Sequence, residues 1–310
     1  MALVYWRIAR GFARQVGMGS RDFNLGVLLC PQFTLFRAVE QFCKDSSIVR
    51  LVSTSVQHLR AVVLAAGMGR RLRTETNFSS GIPKALLRIR GRTLLERMVD
   101  DVSQLGVVEV RIVAGFGLER VVAHVEFLRE SYHVPLKVVV NTEFKSANNG
   151  QSLLLGILGL SEEEVLVFNG DVLYDREILK DLLIGNRTAI AVDDVKSLTP
   201  ESFKVKVRNG RIVAMGKGLS PEESLGEYVG LARISKRDLT QFRTLLRARI
   251  AKDQMVYYDH TFSDLSSFTN VRLSLTRGRP WTEIDFKKDL KLAIKIAPSV
   301  DKSRSKPVLR

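Results

Sequence analysis

Cysteine is scarce in this 310-residue sequence, which contains only Cys30 and Cys43. Their spacing does not match that of metal ligands, and nothing around them indicates a secreted protein, so we expect two free thiols. Histidine is almost as rare, and its positions lack the spacing of a metal site: His58, His124, His133 and His260. The sequence therefore predicts neither a disulfide scaffold nor a zinc site.

Long apolar runs are also missing. No stretch approaches the roughly 20 apolar residues that a membrane-spanning helix requires, so we predict no transmembrane segment. A secretory signal is not expected, because Arg7 interrupts the apolar stretch near the amino terminus. The composition, with 45% hydrophobic and 26% charged residues, is typical of a globular protein, and we expect a cytoplasmic location.

Acidic residues are outnumbered by basic ones, 33 against 48, which gives a formal net charge of +15. Such a surplus attracts polyanions. Lysine and arginine are, however, scattered along the whole chain, and no nucleic-acid-binding motif with interleaved aromatic residues is present. We therefore expect small anionic substrates to account for part of this charge, and we predict no specific nucleic-acid partner.

The most informative feature that is present is a short apolar segment followed by glycines and cations. Residues 61–65 are apolar at every position, as expected for a central parallel strand covered on both faces. At Gly67 and Gly69 the backbone can bend tightly and bring N–H groups against phosphate oxygens. Arg71 and Lys84 then supply positive charge to a polyphosphate. This order of residues predicts a binding site for a nucleoside triphosphate.

Two later segments add carboxylates. Residues 165–168 are typical of a second buried strand, and Asp171 follows it. Asp285 closes the segment that begins at Trp281, just before the last helical stretch. Carboxylates at the carboxyl ends of strands in an α/β sheet lie where ligands bind, and two of them can hold Mg²⁺. Glu283 is an alternative or additional metal contact, and Trp281 is predicted as a core residue rather than a base-stacking platform.

Together these motifs resemble the sugar-phosphate nucleotidylyltransferase superfamily, with a MobA-like NTP transferase domain over roughly residues 59–297. The start motif of that family, L-A-A-G-x-G-x-R-L followed by P-K, is matched by residues 64–72 and by Pro83-Lys84. Within the superfamily the likeness is strongest to the cytidylyltransferases that act on phosphocholine and on inositol 1-phosphate. Further stretches carry this likeness: residues 148–153, residues 203–207 with 209–213, residues 226–231 and residues 281–285.

The resemblance implies a Mg²⁺-dependent transfer of a nucleoside monophosphate, CMP from CTP by preference, to a small phosphorylated alcohol such as inositol 1-phosphate or phosphocholine, with release of pyrophosphate. It implies that Arg71 holds the β- and γ-phosphates and that Lys84 neutralises charge at the α-phosphate. It implies that Asp171 and Asp285 bind Mg²⁺. The other nucleotide- or acceptor-binding positions that it implies are Ala65, Ala66, Gly67, Gly69, Asn149, Ser152 and Lys204. Little acid–base chemistry is needed, because the attacking phosphate oxygen is already anionic.

Other functions stay open at this point. A sugar-1-phosphate uridylyl- or guanylyltransferase, or a molybdopterin-type relative, would use the same phosphate site, and the base depends on backbone contacts near residues 65–67 and Asn149. A catalytically inactive nucleotide-binding regulatory protein is another alternative, although the paired carboxylates argue against it. The long spacing from Arg71 to Lys84 predicts an extended, mobile loop over the triphosphate.

Strand-like and helical segments alternate through the middle of the chain. This alternation predicts an α/β fold with a doubly wound, mostly parallel sheet, a Rossmann-like nucleotidyltransferase fold. The predicted strands lie near residues 109–113, 136–140, 165–168 and 188–192, and the predicted helices are residues 93–105, 118–129, 151–160 and 176–183. Asn209-Gly210 separates two alternating segments, which predicts a hairpin within a small antiparallel insertion on the acceptor side, together with a strand at residues 228–234.

The motifs also suggest a domain organisation. We predict an amino-terminal extension of unclear role at residues 1–58, a nucleotidyltransferase domain at residues 59–297 and a basic tail at residues 298–310. The sequence leaves the oligomeric state open.

Overall fold

The computed structural model describes residues 59–75, 81–302 and 304. The predicted amino-terminal extension lies outside these residues, as do part of the loop between Arg71 and Lys84 and most of the predicted basic tail. The domain boundaries therefore stay predictions.

Strands and helices alternate along the described residues. The strands are β1 (Leu59–Ala65), β2 (Arg88–Ile89), β3 (Arg92–Thr93), β4 (Glu109–Ala114), β5 (Leu136–Val140), β6 (Glu164–Asn169), β7 (Val172–Tyr174), β8 (Ala189–Asp193), β9 (Lys204–Arg208), β10 (Arg211–Gly216), β11 (Gly226–Ile234), β12 (Arg272–Leu275) and β13 (Trp281–Glu283). The helices are α1 (Arg70–Glu75), α2 (Leu94–Ser103), α3 (Leu118–Arg129), α4 (Asn149–Gly156), α5 (Arg176–Leu182), α6 (Lys236–Lys252), α7 (His260–Leu265) and α8 (Lys287–Val300), and a 3₁₀ turn covers Lys84–Leu86.

A central sheet has the strand order β10-β9-β11-β6-β1-β4-β5, with β8 also paired to β11 and β12 to β8. Strands β6, β1, β4 and β5 run parallel to one another. The middle of β1 is buried, as its uninterrupted apolar sequence predicts. The predicted α/β fold with a mostly parallel sheet is confirmed.

Helices cover both faces of this sheet. Apolar residues of α2, α3 and α5 pack against one face, and those of α4, α6 and α7 pack against the other. Side chains of Thr93, Asp175 and Ser235 cap the amino termini of α2, α5 and α6 by accepting backbone N–H groups. These helices fix the carboxyl ends of β1 and β6 from both sides. None of the helices in the described part of the chain is long and apolar enough to cross a membrane.

The predicted hairpin forms between β9 and β10. Its turn residues Asn209 and Gly210 have φ angles of 50° and 71°, in the left-handed region that an Asn-Gly turn provides. The strand predicted at residues 228–234 differs from expectation. It belongs to β11, which is buried at all nine positions and pairs antiparallel with β6, so it is part of the central sheet and not only of the insertion.

Helix α8 continues through Pro298 to Val300, past the predicted domain boundary at residue 297. Arg304, which falls in the predicted basic tail, is buried, and its guanidinium donates to the carboxylate of Asp101 in α2. This contact packs the end of the described chain against α2.

Candidate active site

A cavity of about 420 Å³ lies at the carboxyl ends of β1 and β6. Ligands of α/β sheets bind at this edge. The turn after β1, the amino terminus of α4 and the turn after β6 all contribute to its wall. Predicted site residues that line it are Ala66, Gly67, Arg71, Asn149, Ser152, Asp171 and Asp285.

The two glycines of the turn after β1 have different surroundings. Gly69 has a φ of 58°, and a Cβ atom there would lie 3.0 Å from Cγ of Lys84. A side chain at this position would therefore strain the backbone and displace the lysine. A Cβ atom at Gly67 would meet nothing within 4 Å, so the backbone at this point faces open space. Ala65, the last residue of β1, is buried directly before the turn.

Strand pairing brings the predicted metal-binding residues together. Strands β7 and β13 form a small antiparallel sheet in which Glu283 pairs with Val172. The backbone N–H of Ile284 donates to the carbonyl of Asp171 at 3.0 Å. Carboxylate oxygens of Asp171, Glu283 and Asp285 consequently lie within 4.8 Å of one another. The sequence analysis predicted all three as metal ligands, Glu283 as the alternative or additional one.

Lys84 lies between two of these carboxylates. Its Nζ donates to Oδ2 of Asp171 at 3.0 Å and also to Oδ1 of Asp285. Burial alone would lower the pKa of Lys84, but the charges of Asp171 and Asp285 outweigh it and hold that pKa above its ordinary value. The same lysine, together with Arg71, lowers the pKa of Asp285 against the effect of burial. Lys84 is therefore a permanent cation that lies behind the cavity-lining carboxylates of Asp171 and Asp285 and is not itself a lining residue.

The cluster still carries more negative charge than Lys84 balances. Glu283 lines the cavity with its side chain open to solvent, and desolvation by the neighbouring protein atoms, followed by the charges of Asp171 and Asp285, raises its pKa well above the usual range. A further cation among these oxygens would relieve the repulsion. Clustered carboxylate oxygens are the ligands that Mg²⁺ prefers, so the residues present fit a magnesium ion.

Asp285 does not cap the helix that follows it. Oδ2 of Asp289 accepts the backbone N–H groups of Asp285 and Phe286 at 3.1 and 2.8 Å, and this contact caps the start of α8. The side chain of Asp285 is thus left to face Lys84 and Arg71. Trp281 is buried and donates its indole N–H to Asp193, so its predicted role as a core residue is confirmed.

Arg71 lies at the entrance to the cavity. Its Nη1 contacts Oε2 of Glu201 at 3.1 Å and Oδ2 of Asp285 at 3.4 Å. The ammonium of Lys217 lies 3.1 Å from the same Oε2 of Glu201. One carboxylate oxygen therefore bridges two cations of the site, in the way that a phosphate oxygen would.

The polar residues at the start of α4 have protein partners. Asn148 caps the helix by accepting the N–H of Asn149 at 2.8 Å. Oδ1 of Asn149 accepts the backbone N–H of Tyr258 at 3.0 Å, and Oγ of Ser152 accepts from the amide of Asn141 at 2.9 Å. These bonds fix the amino terminus of α4 at the cavity wall, where its N–H groups favour an anion.

Lys204 is not among the cavity-lining residues, contrary to the position expected for a ligand contact. Its side chain is buried beneath the β9–β10 hairpin, where its Nζ donates to the carbonyls of Ser202 and Lys217 at 3.3 and 2.7 Å. The cation that lines the cavity from this hairpin is Lys217. The sequence analysis missed Lys217, although the glycines on both sides of it, directly after β10, were a usable signal.

Two other residues at the site were also missed. Glu201, in the loop between β8 and β9, contacts the cavity-lining Arg71 and Lys217, and Asp259, which lines the cavity, directly precedes α7. Neither belongs to a recognisable motif, so single-sequence reasoning had no signal for them.

Comparison with known proteins relates the part of the chain that carries the glycine turn and Asp171 to a family. Residues 61–209 match the family model of the MobA-like NTP transferase domain. Over these residues the chain matches the MobA-like NTP transferase domain. The resemblance predicted from the start motif is thereby confirmed, and the domain is of the nucleotidyltransferase class.

Curated relatives are similar to this chain over most of its length. The bifunctional IPC transferase and DIPP synthase of Rubrobacter xylanophilus is 30% identical over 245 residues, which cover 78% of this chain and 52% of the relative. The protein of the same description from Aquifex aeolicus is 28% identical over 76% of this chain and 51% of its own length. This chain therefore spans about half the length of these relatives.

A solved structure has the same fold as most of this chain. The inositol-1-phosphate CTP transferase from T. maritima superposes with a TM-score of 0.65, 21% sequence identity and coverage of 80% of this chain and 98% of the other. At this level of identity the likeness establishes the fold alone.

Proposed function

We propose that the MobA-like domain transfers CMP from CTP to a small phosphorylated alcohol in a Mg²⁺-dependent reaction that releases pyrophosphate. The observation that carries the proposal is the position of Lys84 between Asp171 and Asp285, beside a glycine turn whose backbone faces an open cavity. A permanent cation, a carboxylate cluster and exposed backbone N–H groups are what stabilise charge during transfer of a nucleotidyl group.

The proposed chemistry consists of one in-line displacement. An anionic oxygen of the acceptor phosphate forms a bond to the α-phosphorus of the triphosphate, and the bond from that phosphorus to the bridging oxygen of pyrophosphate breaks. Lys84 neutralises charge at the α-phosphate, and Arg71 holds the β- and γ-phosphates. Lys217, which shares an anionic partner with Arg71, holds the acceptor phosphate. No general base is required, because the attacking oxygen carries no proton.

The carboxylates of Asp171 and Asp285, with Glu283, would hold Mg²⁺. The bound ion would neutralise part of the negative charge of the triphosphate. Lys84 then serves a second purpose, since its ammonium prevents the two aspartates from repelling each other before substrate arrives.

The choice of CTP and of a phosphorylated alcohol draws on the relatives. The IPC transferases cover most of this chain, and two solved structures of the same fold carry CTP in their descriptions, one with inositol 1-phosphate and one with phosphocholine. Because this chain spans only half of the curated relatives, these substrates are proposals. A cytoplasmic location is part of the same proposal.

Pyrophosphate release by the purified protein tests this function. CTP, UTP, GTP and ATP are each offered with Mg²⁺ and one acceptor: inositol 1-phosphate, phosphocholine or a hexose 1-phosphate. We expect release only with CTP and a non-sugar acceptor. Preference for UTP or GTP with a hexose phosphate would replace the proposal by a sugar-1-phosphate nucleotidylyltransferase. Triphosphate binding without release from any pair would favour a regulatory protein.

The bridge formed by Glu201 leads to a separate prediction. Replacing Glu201 by glutamine removes the charge that competes with substrate phosphate for Arg71 and Lys217, so we expect KM for anionic substrates to fall by about two- to fivefold. Steady-state kinetics at low ionic strength measures this effect. Glu223→Gln, which alters an exposed bridge to Lys206, is the matched control. An unchanged or raised KM in Glu201→Gln would show that the carboxylate does not compete with substrate.

A further inference from the structure

Helix α8 carries positive charge that the proposed reaction does not use. Four lysines of this helix are exposed to solvent: Lys287, Lys288, Lys291 and Lys295. None of them lines the cavity, and none forms an ion pair with a residue that the structure describes. Substrates in the cavity therefore do not account for these charges.

The lysines lie together on the outer face of α8. Because successive helical residues are about 100° apart, Lys288, Lys291 and Lys295 fall within an arc of about 60°. The opposite face, which includes Ala293 and Ala297, is buried against the rest of the domain. All exposed residues of α8 together form what we call the lysine face: Lys287, Lys288, Lys291, Leu292, Ile294, Lys295, Pro298 and Ser299. This face contains no acidic residue.

The acidic residues of α8 and of the turn after it are engaged elsewhere. Asp289 accepts the backbone N–H groups at the start of the helix, and Asp301 pairs with Arg97 at 2.6 Å. Glu75 accepts the backbone N–H of Lys287 at 2.9 Å, so it lies at the amino-terminal end of the lysine face. Among the described residues, no carboxylate is paired with the lysines of this face.

The β2–β3 hairpin lies beside the carboxyl-terminal end of α8. Nη2 of Arg97 donates both to the carbonyl of Ile89 at 2.8 Å and to Oδ2 of Asp301 at 2.6 Å, so the hairpin and the helix end are adjacent. Arg88 and Arg90, on either side of Ile89, are exposed. Further cations follow α8 in the sequence: Lys302, Lys306 and Arg310. The positive charge is therefore continuous from the lysine face to its surroundings.

Two apolar side chains lie among the lysines. Leu292 is 37% exposed and Ile294 is 51% exposed. At a membrane surface, anionic headgroups attract the lysines, and the boundary of the acyl region takes up the apolar side chains. A nucleic acid would leave both apolar groups in water. The lysine face also contains neither arginine nor an aromatic residue, the types that contact and stack on bases. Its composition therefore favours a lipid bilayer.

We propose that the lysine face of α8 docks on a membrane surface that contains anionic lipids. The helix is about 21 Å long at 1.5 Å per residue, so its lysines can contact several headgroups at once. Each lysine held near such a surface strengthens binding by about fivefold. Because α8 begins directly after Asp285 and Phe286, docking would bring the proposed metal site close to the bilayer.

Co-sedimentation with lipid vesicles tests this inference. The whole chain is mixed with vesicles of phosphatidylcholine alone, or with vesicles in which about a third of the lipid is phosphatidylserine. We expect binding to the anionic vesicles at low salt, little binding to the neutral ones, and loss of binding in about 0.5 M salt. The variant Lys288→Gln/Lys291→Gln/Lys295→Gln should bind the anionic vesicles at least about tenfold more weakly.

A control variant removes the same charge from another helix. Arg237→Gln/Arg247→Gln/Lys252→Gln changes three exposed cations of α6 and gives the same net charge as the α8 variant. It should bind the anionic vesicles within about threefold of the wild type, because screening weakens distant charges. All the changed side chains are exposed, and circular dichroism checks that both proteins are folded.

A third variant separates lipid from other polyanions. Leu292→Ser/Ile294→Ser keeps every charge of the lysine face, so we expect its vesicle binding to fall by about threefold or more while its binding to a duplex DNA oligonucleotide stays unchanged. Tighter binding of the oligonucleotide than of anionic vesicles, with the same dependence on the α8 lysines, would assign the face to a nucleic acid and overturn the inference.

Other outcomes also decide the inference. If the wild type does not bind anionic vesicles, the lysine face is not a membrane-docking surface. Equal losses in the α6 and α8 triple variants would show general attraction by net charge and no docking surface on α8. Vesicle binding requires no substrate, so a failure of the nucleotidyl transfer assay would leave this result unaffected.

Discussion

Replacing Lys84 by alanine is expected to lower kcat by about 10³-fold, the size of effect seen when one preorganised charge-stabilising group is removed. The ammonium of Lys84 contacts Asp171 and Asp285 and is fixed before substrate arrives. No other cation of the described residues occupies this position, because Arg71 lies at the cavity entrance and contacts Asp285 through its other oxygen. Pyrophosphate release at saturating CTP and acceptor measures the loss.

The same variant has a second readout that does not depend on turnover. Without Lys84, the carboxylates of Asp171, Glu283 and Asp285 repel one another, so the melting temperature in metal-free buffer should fall. Millimolar Mg²⁺ should restore much of that loss, and more than it stabilises the wild type.

Lys291→Ala, a change at an exposed position of α8, is the matched control for both measurements and should behave as the wild type. If kcat for Lys84→Ala stays within tenfold of the wild-type value, Lys84 does not stabilise charge in the reaction. If Mg²⁺ does not raise the melting temperature of the variant, the cluster of Asp171, Glu283 and Asp285 does not bind the metal.

The parts of the site that the sequence predicts are those with a local signature. A central strand must be apolar throughout, so residues 61–65 were recognisable as β1. Gly69 needs a left-handed backbone, and carboxylates after strands lie at the ligand edge, so Asp171 could be placed beside the glycine turn. In each case one short segment of sequence is enough to predict the local structure.

Residues whose position depends on distant partners were not predictable in this way. Lys204 and Lys217 flank the same hairpin, and only tertiary packing decides that the first is buried and the second lines the cavity. Strand β11 shows the same limitation. Its apolar sequence predicts a strand, but local pattern cannot tell that it pairs with β6 rather than only with the insertion. Asp259 lacked any signal, because the burial of its side chain at the cavity is visible only once its surroundings are known.

The largest effect on stability is expected at Asp101, far from the cavity. Asp101 is fully buried in α2, and its carboxylate accepts from the guanidinium groups of Arg176 and Arg304 at 2.6 Å each. Arg304 lies beyond the end of α8, and a second ion pair joins Asp301 to Arg97 of α2 at 2.6 Å. These bonds fasten the carboxyl-terminal end of α8 to the core.

Asp101→Ala leaves two buried guanidinium groups without their shared partner, so we expect the free energy of unfolding to fall by about 3–5 kcal/mol. Urea denaturation followed by circular dichroism measures it. The control is Glu126→Ala, which breaks a surface pair with Arg129 whose side chains are 58% and 43% exposed, and it should cost less than about 1 kcal/mol. Equal losses in the two variants would mean that the buried network does not hold the domain together.

Helix α8 connects the stability effect at Asp101 with the position of Asp285 in the proposed metal site. This helix begins just after Asp285, and its far end is held by Asp101 and Arg97. Loosening that end should free the first turn, where Asp289 holds the backbone of Asp285. We therefore expect Asp101→Ala, at temperatures where it remains folded, to raise the Mg²⁺ concentration needed for half-maximal activity. If the variant loses stability but keeps the wild-type Mg²⁺ requirement, the position of Asp285 is fixed by β13 and the capping contact alone.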